Sequence, residues 1–426
     1  MPMSPLVARI EANYRYIVVL ASLGMMLIGT GSIFLLIVTL KPIAQDFGWP
    51  RSVPSFGYSL QYLGAGIGSI AMGHWFDRSG MGKPAVLGAV MIGSGLLVVS
   101  AMVNEWQFYI AYGVLIGLLG HATLYAPLMA NIIRLFEVRR GMTAGVVASG
   151  QSIAGAVWPP IFRYFNDAVG WRETYFWFGI FVLATMLPLA LVFWHRSASA
   201  TAPKISTSRA TSGTVRPAAA SAPEIDIGVS PLMLMTALCV AIVGCCISMA
   251  LPLAQLVSHA TDLGYSYARG AEMLALALLL SSVCRLGIIG PVADRMGGLK
   301  AMFVFSVLQT VTVGAFAFVD GIVTLYLVAA LFGIGYGGIL PVYPIVVREY
   351  LPVEGLGRCT ATVILFGGIG MAIGGWFGGW VYDVTGDYAP AFIVGAAANA
   401  VNLAIIWALI RRTGRPAAGA VAAAAE

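Results

Sequence analysis

Charge is scarce in this chain. Only 10% of its 426 residues are Asp, Glu, Lys or Arg, against roughly 25% in a soluble domain. That shortage excludes an aqueous surface over most of the chain, and a mean hydropathy of +0.88 points to lipid or packed helices instead. Cysteine is sparse and odd in number: Cys239, Cys245, Cys246, Cys284 and Cys359 lie in or beside apolar runs, without metal-ligand spacing. They read as small packing residues, so no metal is expected. No nucleophile–base pair and no large extramembrane domain is visible, which argues against a membrane enzyme or sensor. Gly367-Gly368 and Gly374-Gly375 follow no strand, so a dinucleotide site fails and no cofactor is expected. The net charge of +6 does not imply nucleic acid, because the basic residues sit in short loops that suit an anionic membrane leaflet.

What is present is a series of apolar runs, each long enough to cross a ~30 Å hydrocarbon core. Twelve can be placed, at 16–41, 53–76, 84–103, 106–134, 141–165, 174–194, 231–258, 270–293, 301–319, 321–347, 359–382 and 389–410. The expected organisation is an N-terminal six-helix bundle over 1–194, a cytoplasmic linker over 195–228 rich in Ser, Ala, Thr and Pro, a C-terminal six-helix bundle over 229–411, and a tail over 412–426. Of 24 Lys and Arg, eighteen fall on the side of the N-terminus and five on the other. The positive-inside rule then places both termini in the cytoplasm, with the plasma membrane, a bacterial inner membrane, as the expected location. The remaining one is Arg285, inside a span.

The two halves repeat. Gly73-His-Trp-Phe-Asp77-Arg78-Ser-Gly80-Met-Gly82-Lys83 closes span 2, and Gly290-Pro-Val-Ala-Asp294-Arg295-Met-Gly297-Gly-Leu-Lys300 closes span 8. Asp46-Phe-Gly-Trp before span 2 is echoed by Asp262-Leu-Gly-Tyr before span 8, and Gly117 with Tyr125-Ala-Pro127 by Gly333 with Tyr343-Pro344. All share an offset close to 216 residues. Duplicated halves of this kind imply two pseudo-symmetric bundles with a site between them near the midplane.

The loop Gly-x-x-x-Asp-Arg-x-Gly, present twice, resembles the signature of the major facilitator superfamily. The resemblance implies an all-α integral membrane fold of twelve transmembrane helices in two six-helix bundles. It also implies that Asp77, Arg78, Lys83, Asp294, Arg295 and Lys300 form conformational-gating loops that clamp helix ends. Leu135-Phe136-Glu137-Val138-Arg139-Arg140-Gly141-Met142-Thr143-Ala144-Gly145 and the residues up to Gly150 resemble the span-5 signature of monocarboxylate transporters. Phe136, Arg139, Arg140, Gly145 and Gly150 match; Leu135, Val138, Met142, Thr143, Val147 and Ser149 depart. Oxalate:formate exchangers share much of this pattern.

Arg285 lies nine residues before Asp294, ~13 Å into the membrane at 1.5 Å per residue. An arginine there costs at least ~2.5–3.5 kcal/mol on insertion scales. No acid shares its depth: the nearest, Glu105, Glu272, Asp320 and Asp383, fall near the outer ends of spans. A substrate carboxylate would supply the missing counter-ion; carbonyls and water are the plainer alternative. The monocarboxylate resemblance likewise implies a substrate-binding arginine in span 8, but the family's aspartate one turn earlier is Ser281 here, and its span-1 lysine is missing. One fixed cation suits one carboxylate, so a lactate-like or pyruvate-like monoanion moving with a proton is expected, by a carrier acting as a monomer. A carboxylate antiporter of the oxalate:formate type is the alternative.

Further candidates for the substrate site are His121 and Tyr125, four residues apart and hence on one helix face, Tyr336 and Tyr343, seven apart, and Ser282. Thr30, Ser32, Gln151 and Ser248 are further candidates to line the path. Each tyrosine can equally bond a neighbouring helix, and His121 can equally be a neutral packing residue.

Overall fold

In a computed structural model, residues 5–135, 140–194, 230–350 and 356–413 are described. The expected 195–228 linker and all but the first two residues of the tail lie outside them, as do Phe136 and Arg139 of the span-5 signature. Among the described residues the chain is helical throughout, as apolar segments must be where no water can satisfy backbone N–H and C=O groups. The first half comprises α1 (Pro5–Phe47), α2 (Ser52–Ser79) and α3 (Gly82–Ser100). A composite passage follows, of α4 (Glu105–Ile110), a π-helical stretch (Ala111–Gly120), a 3-10 turn (His121–Thr123) and α5 (Ala126–Leu135). The long α6 (Arg140–Val192) completes the half. The second comprises α7 (Pro231–Asp262), α8 (Tyr267–Val283), a π-helical turn (Cys284–Ile288), α9 (Ile289–Met296), α10 (Gly298–Ala315), α11 (Ile322–Tyr350), α12 (Leu356–Thr385) and α13 (Ala389–Thr413).

Ten segments of the described residues are long and apolar enough to cross a membrane. The difference from the expected twelve arises in two places. One segment, Gly145–Val192, has 48 residues, ~72 Å of helix at 1.5 Å per residue, and it breaks direction at Gly170, where φ is 84°. The other place is α2, whose five glycines together with Gln61, His74, Asp77 and Arg78 dilute its apolar character.

The sequence repeat is also a repeat of contacts. A Cβ on Gly117 would meet the Gln61 carbonyl oxygen at 2.8 Å, and one on Gly333 would meet that of Ala277 at 2.0 Å. Both partners are separated by the same offset, so the same close helix crossing is made in each half, of the kind small residues permit in membranes. The motif loops repeat likewise. Gly80 (φ 73°) and Gly297 (φ 79°) end α2 and α9 in the left-handed region, which glycine enters without penalty. Their N–H groups donate to Phe76 and Ala293 at 2.8 Å each.

The side chains of Asp77 and Asp294, expected in the gating loops, lie outside the described residues. Arg78, Lys83, Arg295 and Lys300 are exposed. The carboxylate that receives an N–H at this end is Glu349 of α11, whose two oxygens lie 3.2 and 3.0 Å from the nitrogen of Gly298 at the start of α10. Burial raises the Glu349 carboxyl above the usual range, and the Gly298 N–H opposes that rise.

The halves meet most closely at the opposite end. There Asp262 of α7 receives both Lys41 of α1 (2.7 Å) and Arg51 (2.9 Å). Arg51 also donates to the Tyr388 hydroxyl at 2.9 Å and lies 3.6 Å from the centroid of the Tyr382 ring. The N–H groups of Arg51 and Ser52, which open α2, donate to Asp383 at 2.7 and 2.8 Å, so a carboxylate of one half caps a helix of the other. Burial works against the Arg51 charge, but Asp262 and Tyr388 outweigh it and hold the guanidinium above its ordinary pKa. Just inside, Gln255 donates to Ser55 at 3.2 Å, and Gly375 and Gly379 let Tyr58 and Ser55 approach α12. The central cavity is therefore shut at the Arg51 end by contacts between the halves.

Arg51→Gln removes a charge-assisted pair and a cation–π contact, together on the order of 1–3 kcal/mol, which is 5–150-fold in population. The expected outcome is a shift towards a state open at this end. Pulsed electron resonance between labels at Gln45→Cys and Val384→Cys, both exposed there, checks it: the distance distribution should gain a longer component in Arg51→Gln.

Candidate functional site

Arg285 sits in the π-helical turn Cys284–Ile288 between α8 and α9. Such wider turns are frequent at functional sites. Its guanidinium carbon is 5.1 Å from the centroid of the Tyr336 ring of α11, a cation–π distance. Its Nε and Nη2 are buried and donate to nothing, and no ion pair between described side chains includes it. Two N–H vectors of a planar fork are thus unspent. The Tyr62 and Tyr125 hydroxyls lie within electrostatic reach of the Arg285 charge.

The adjoining cavity is lined from α1 by Thr30, Ile33, Phe34 and Ile37, and from α2 by Tyr58 and Tyr62. Gln151 of α6, Leu253 of α7 and Tyr336 complete it, so both halves contribute walls. Tyr58 and Tyr62 are four residues apart on α2, with ring centroids 4.8 Å apart. The Tyr58 hydroxyl is buried without a hydrogen-bond partner.

The sequence candidates divide. Arg285 and Tyr336 are in contact, Tyr125 lies within electrostatic reach of both and is 45% exposed, and Thr30 and Gln151 line the wall. His121 does not share a face with Tyr125. Pro127 lacks an N–H and clashes with the carbonyl four residues back, so the helix stops at Thr123 and resumes at Ala126. His121 instead turns to α1, with Nε2 2.9 Å from the Gly29 carbonyl and 3.0 Å from the Ser32 hydroxyl. A carbonyl only accepts, so Nε2 carries the proton. Tyr343 is also placed apart from Tyr336. Seven residues move it ~10 Å along the helix, into the bundle interior, where its hydroxyl donates to Asn402 at 3.2 Å. Ser282 donates to the Leu278 carbonyl of its own helix at 3.0 Å.

The profile of the Major Facilitator Superfamily matches residues 20–319 and again 236–426, overlapping ranges that together reach across both halves. The chain belongs to this superfamily. Curated relatives support the narrower resemblance to the monocarboxylate transporter family. Monocarboxylate transporter 13 of Rattus norvegicus is 24% identical over 358 residues, covering 81% of this chain and 76% of its own. Monocarboxylate transporter 11 of Mus musculus is 25% identical, with coverage of 82% and 76%. Among solved structures, a POT family transporter in complex with 5-aminolevulinic acid superposes with a TM-score of 0.71 at 13% identity, covering 93% of this chain and 96% of that one. The nucleoside transporter NupG gives 0.68 at 12%, covering 93% and 100%. At such identities these two speak for the fold alone. The chain is thus a transporter of the major facilitator superfamily rather than an enzyme.

Sequence reading missed Tyr58 and Tyr62, whose spacing of four, which puts both on one helix face, was the available signal. It also missed the cross-half roles of Lys41, Arg51 and Asp383.

Because the His121 ring is spent on Gly29 and Ser32, His121→Gln, which keeps a donor, should leave the affinity for a carboxylate within about fivefold, since one neutral hydrogen bond is worth ~1 kcal/mol. Calorimetric titration of the purified variant checks this, and a loss of tenfold or more would return His121 to the binding site.

Proposed function

We propose that this superfamily member moves a small monocarboxylate together with a proton by alternating access. The observation that carries the reading is Arg285: a cation at the cavity with two buried, unspent N–H groups and no acidic partner among the described residues. A carboxylate fits that fork in a bidentate manner. One cation neutralises one carboxylate, which favours a monoanion over the dianions that an oxalate exchanger would take. The relatives named as monocarboxylate transporters support the same substrate class.

Arginine stays protonated at any relevant pH, so Arg285 holds the anion and does not carry the proton. No Asp or Glu lines the cavity among the described residues, so the proton is assigned to the substrate carboxylate itself on its way in or out. The bias of basic residues places the motif-loop end, with both termini and the 195–228 linker, in the cytoplasm. The closed Arg51 end then faces outward, with a bundle of 1–194 and one of 229–411 rocking about the cavity.

Arg285→Gln keeps a polar donor and removes the charge. Lactate or pyruvate binding should fall at least tenfold while the protein still elutes as a single species, since a hydrogen bond to a charged group is worth ~1.5–3 kcal/mol. Arg285→Lys keeps the charge without the fork and should recover only part of the loss. Calorimetry on the three proteins, with uptake into proteoliposomes with and without an inward proton gradient, tests the reading. Wild-type affinity in Arg285→Gln would sink the anion site, and uptake indifferent to the gradient would sink proton coupling. For orientation, a lone cysteine at Ser208→Cys should resist an impermeant thiol reagent added to intact cells.

A further inference from the structure

The basic residues at the two ends of the molecule differ in how they are partnered. At the Arg51 end each has an acid: Lys41 and Arg51 share Asp262, Arg163 pairs with Asp167, Arg172 with Asp46 and Arg269 with Glu272. At the motif-loop end, Lys300 of α10 and Arg411 and Arg412 of α13 are exposed, and no ion pair between described side chains includes them. Glu349, at the start of α10, turns its oxygens to the Gly298 N–H instead. Two of these free cations are brought to one level. The ring of Phe303 meets that of Trp407 at 5.6 Å, and Phe316 meets Phe392 at 5.5 Å, so α10 and α13 run side by side in opposite directions. Lys300 is three residues from Phe303 and Arg411 four from Trp407, both towards the motif-loop end. At 1.5 Å per residue they stand ~4.5 and ~6 Å past the ring pair. The Arg411 guanidinium carbon is 4.8 Å from the Trp407 centroid, a cation–π distance that holds it over that ring.

Beneath the cations both helices present an apolar row. Lys300, Val304, Val307 and Val311 are exposed at spacings of four, three and four, and Arg411, Trp407, Ala404 and Val401 at four, three and three. Each row therefore lies on one helix face, and each ends in a cation. We infer that this face of α10 and α13 is a binding site for one anionic phospholipid. Lys300 and Arg411, with Arg412 beside them, hold the phosphodiester, whose oxygens suit both the arginine fork and the lysine charge. Trp407 sits at headgroup level, where tryptophan is favoured, and the acyl chains lie along the valine row and the Trp407 row. A zwitterionic lipid would bring an ammonium next to three cations with no acid to receive it, so the site discriminates by charge. It lies on the lipid-facing side of the second half and does not depend on the role of Arg285.

Native mass spectrometry of the purified full-length protein, titrated with dioleoylphosphatidylglycerol or with zwitterionic dioleoylphosphatidylethanolamine, reads the site directly. The first phosphatidylglycerol should bind at least tenfold tighter than phosphatidylethanolamine. A cation beside an anionic headgroup is worth about fivefold in affinity. Arg411→Gln combined with Arg412→Gln should therefore weaken phosphatidylglycerol at least tenfold and leave phosphatidylethanolamine within about twofold. Arg411→Lys with Arg412→Lys keeps the charge and should retain most of the binding. Arg15→Gln with Arg209→Gln removes the same charge elsewhere on the chain and should cost less than about threefold. Glycerophosphoglycerol, the headgroup without its chains, should fail to compete even in large excess. Equal losses in the two Arg→Gln pairs would reduce the effect to general surface charge and overturn the site, as would equal affinity for the two lipids. Competition by the headgroup alone would make the site one for free anions and overturn the inference likewise. Should the Arg411 and Arg412 pair fail to elute as a single species, Lys300→Gln on the other helix should cost about fivefold, and no loss there overturns the shared site.

Discussion

A guanidinium held among membrane helices must find compensation, and Arg285 finds only part of it within the protein. The Tyr336 ring lies 5.1 Å from its charged carbon, worth ~0.5–2 kcal/mol depending on how dry the site is. Nε and Nη2 remain unspent. Under the proposed function, a bound carboxylate makes up the shortfall. Much else is arranged around that residue: the π-helical turn that carries it, the tyrosines of α2 and α11 that surround it, and a cavity walled by both halves of the chain.

The other cations between the halves show the opposite arrangement. Lys41 and Arg51 share Asp262, and Arg51 adds Tyr388 and the Tyr382 ring. A partnered cation closes the end at which it sits; under the proposed function, the unpartnered one marks where the anion is held. The lysine and arginine side chains of the closed end are 16% and 12% exposed, and Asp262 is 21% exposed. Partial exposure matters for a carrier. Fully buried pairs cost several kcal/mol to separate, whereas groups that reach water when they part can exchange one compensation for another. A gate of this kind can hold one state and still release it.

The repeat was legible to a useful depth. Gly117 and Gly333, and Gly80 and Gly297, were matched as letters at a common offset, and each pair performs the same task in the two halves: a close helix crossing against Gln61 or Ala277, and a left-handed turn after α2 or α9. Glycine is readable in this way because its role depends on local backbone geometry. Arg285 was legible for a related reason, since a lone charge at mid-depth stands out against any apolar run. The face of His121 and Tyr125 was not legible, because a periodicity argument assumes an unbroken helix and Pro127 interrupts this one. The role of Tyr343 depended on Asn402, 59 residues further along, and that of Arg51 on Asp262, Tyr382, Asp383 and Tyr388 in the other half. Contacts across hundreds of residues have no periodic signature.

The lack of an acid beside Arg285 among the described residues has a consequence for the carrier cycle. Where an arginine has a fixed aspartate partner, the empty site is already neutral and can be sealed without substrate. Here Ser281 stands one turn before Arg285, buried and with its hydroxyl unpaired, so an empty site keeps its positive charge. To pass between open states, the two halves must close over that site, and enclosing a bare guanidinium costs several kcal/mol. With a monocarboxylate on the fork, the same closure encloses a neutral pair with both buried N–H groups satisfied. Under the proposed function, the substrate is therefore part of what permits the movement: it supplies the charge the protein left out, and the absence of an internal acid ties reorientation to occupancy.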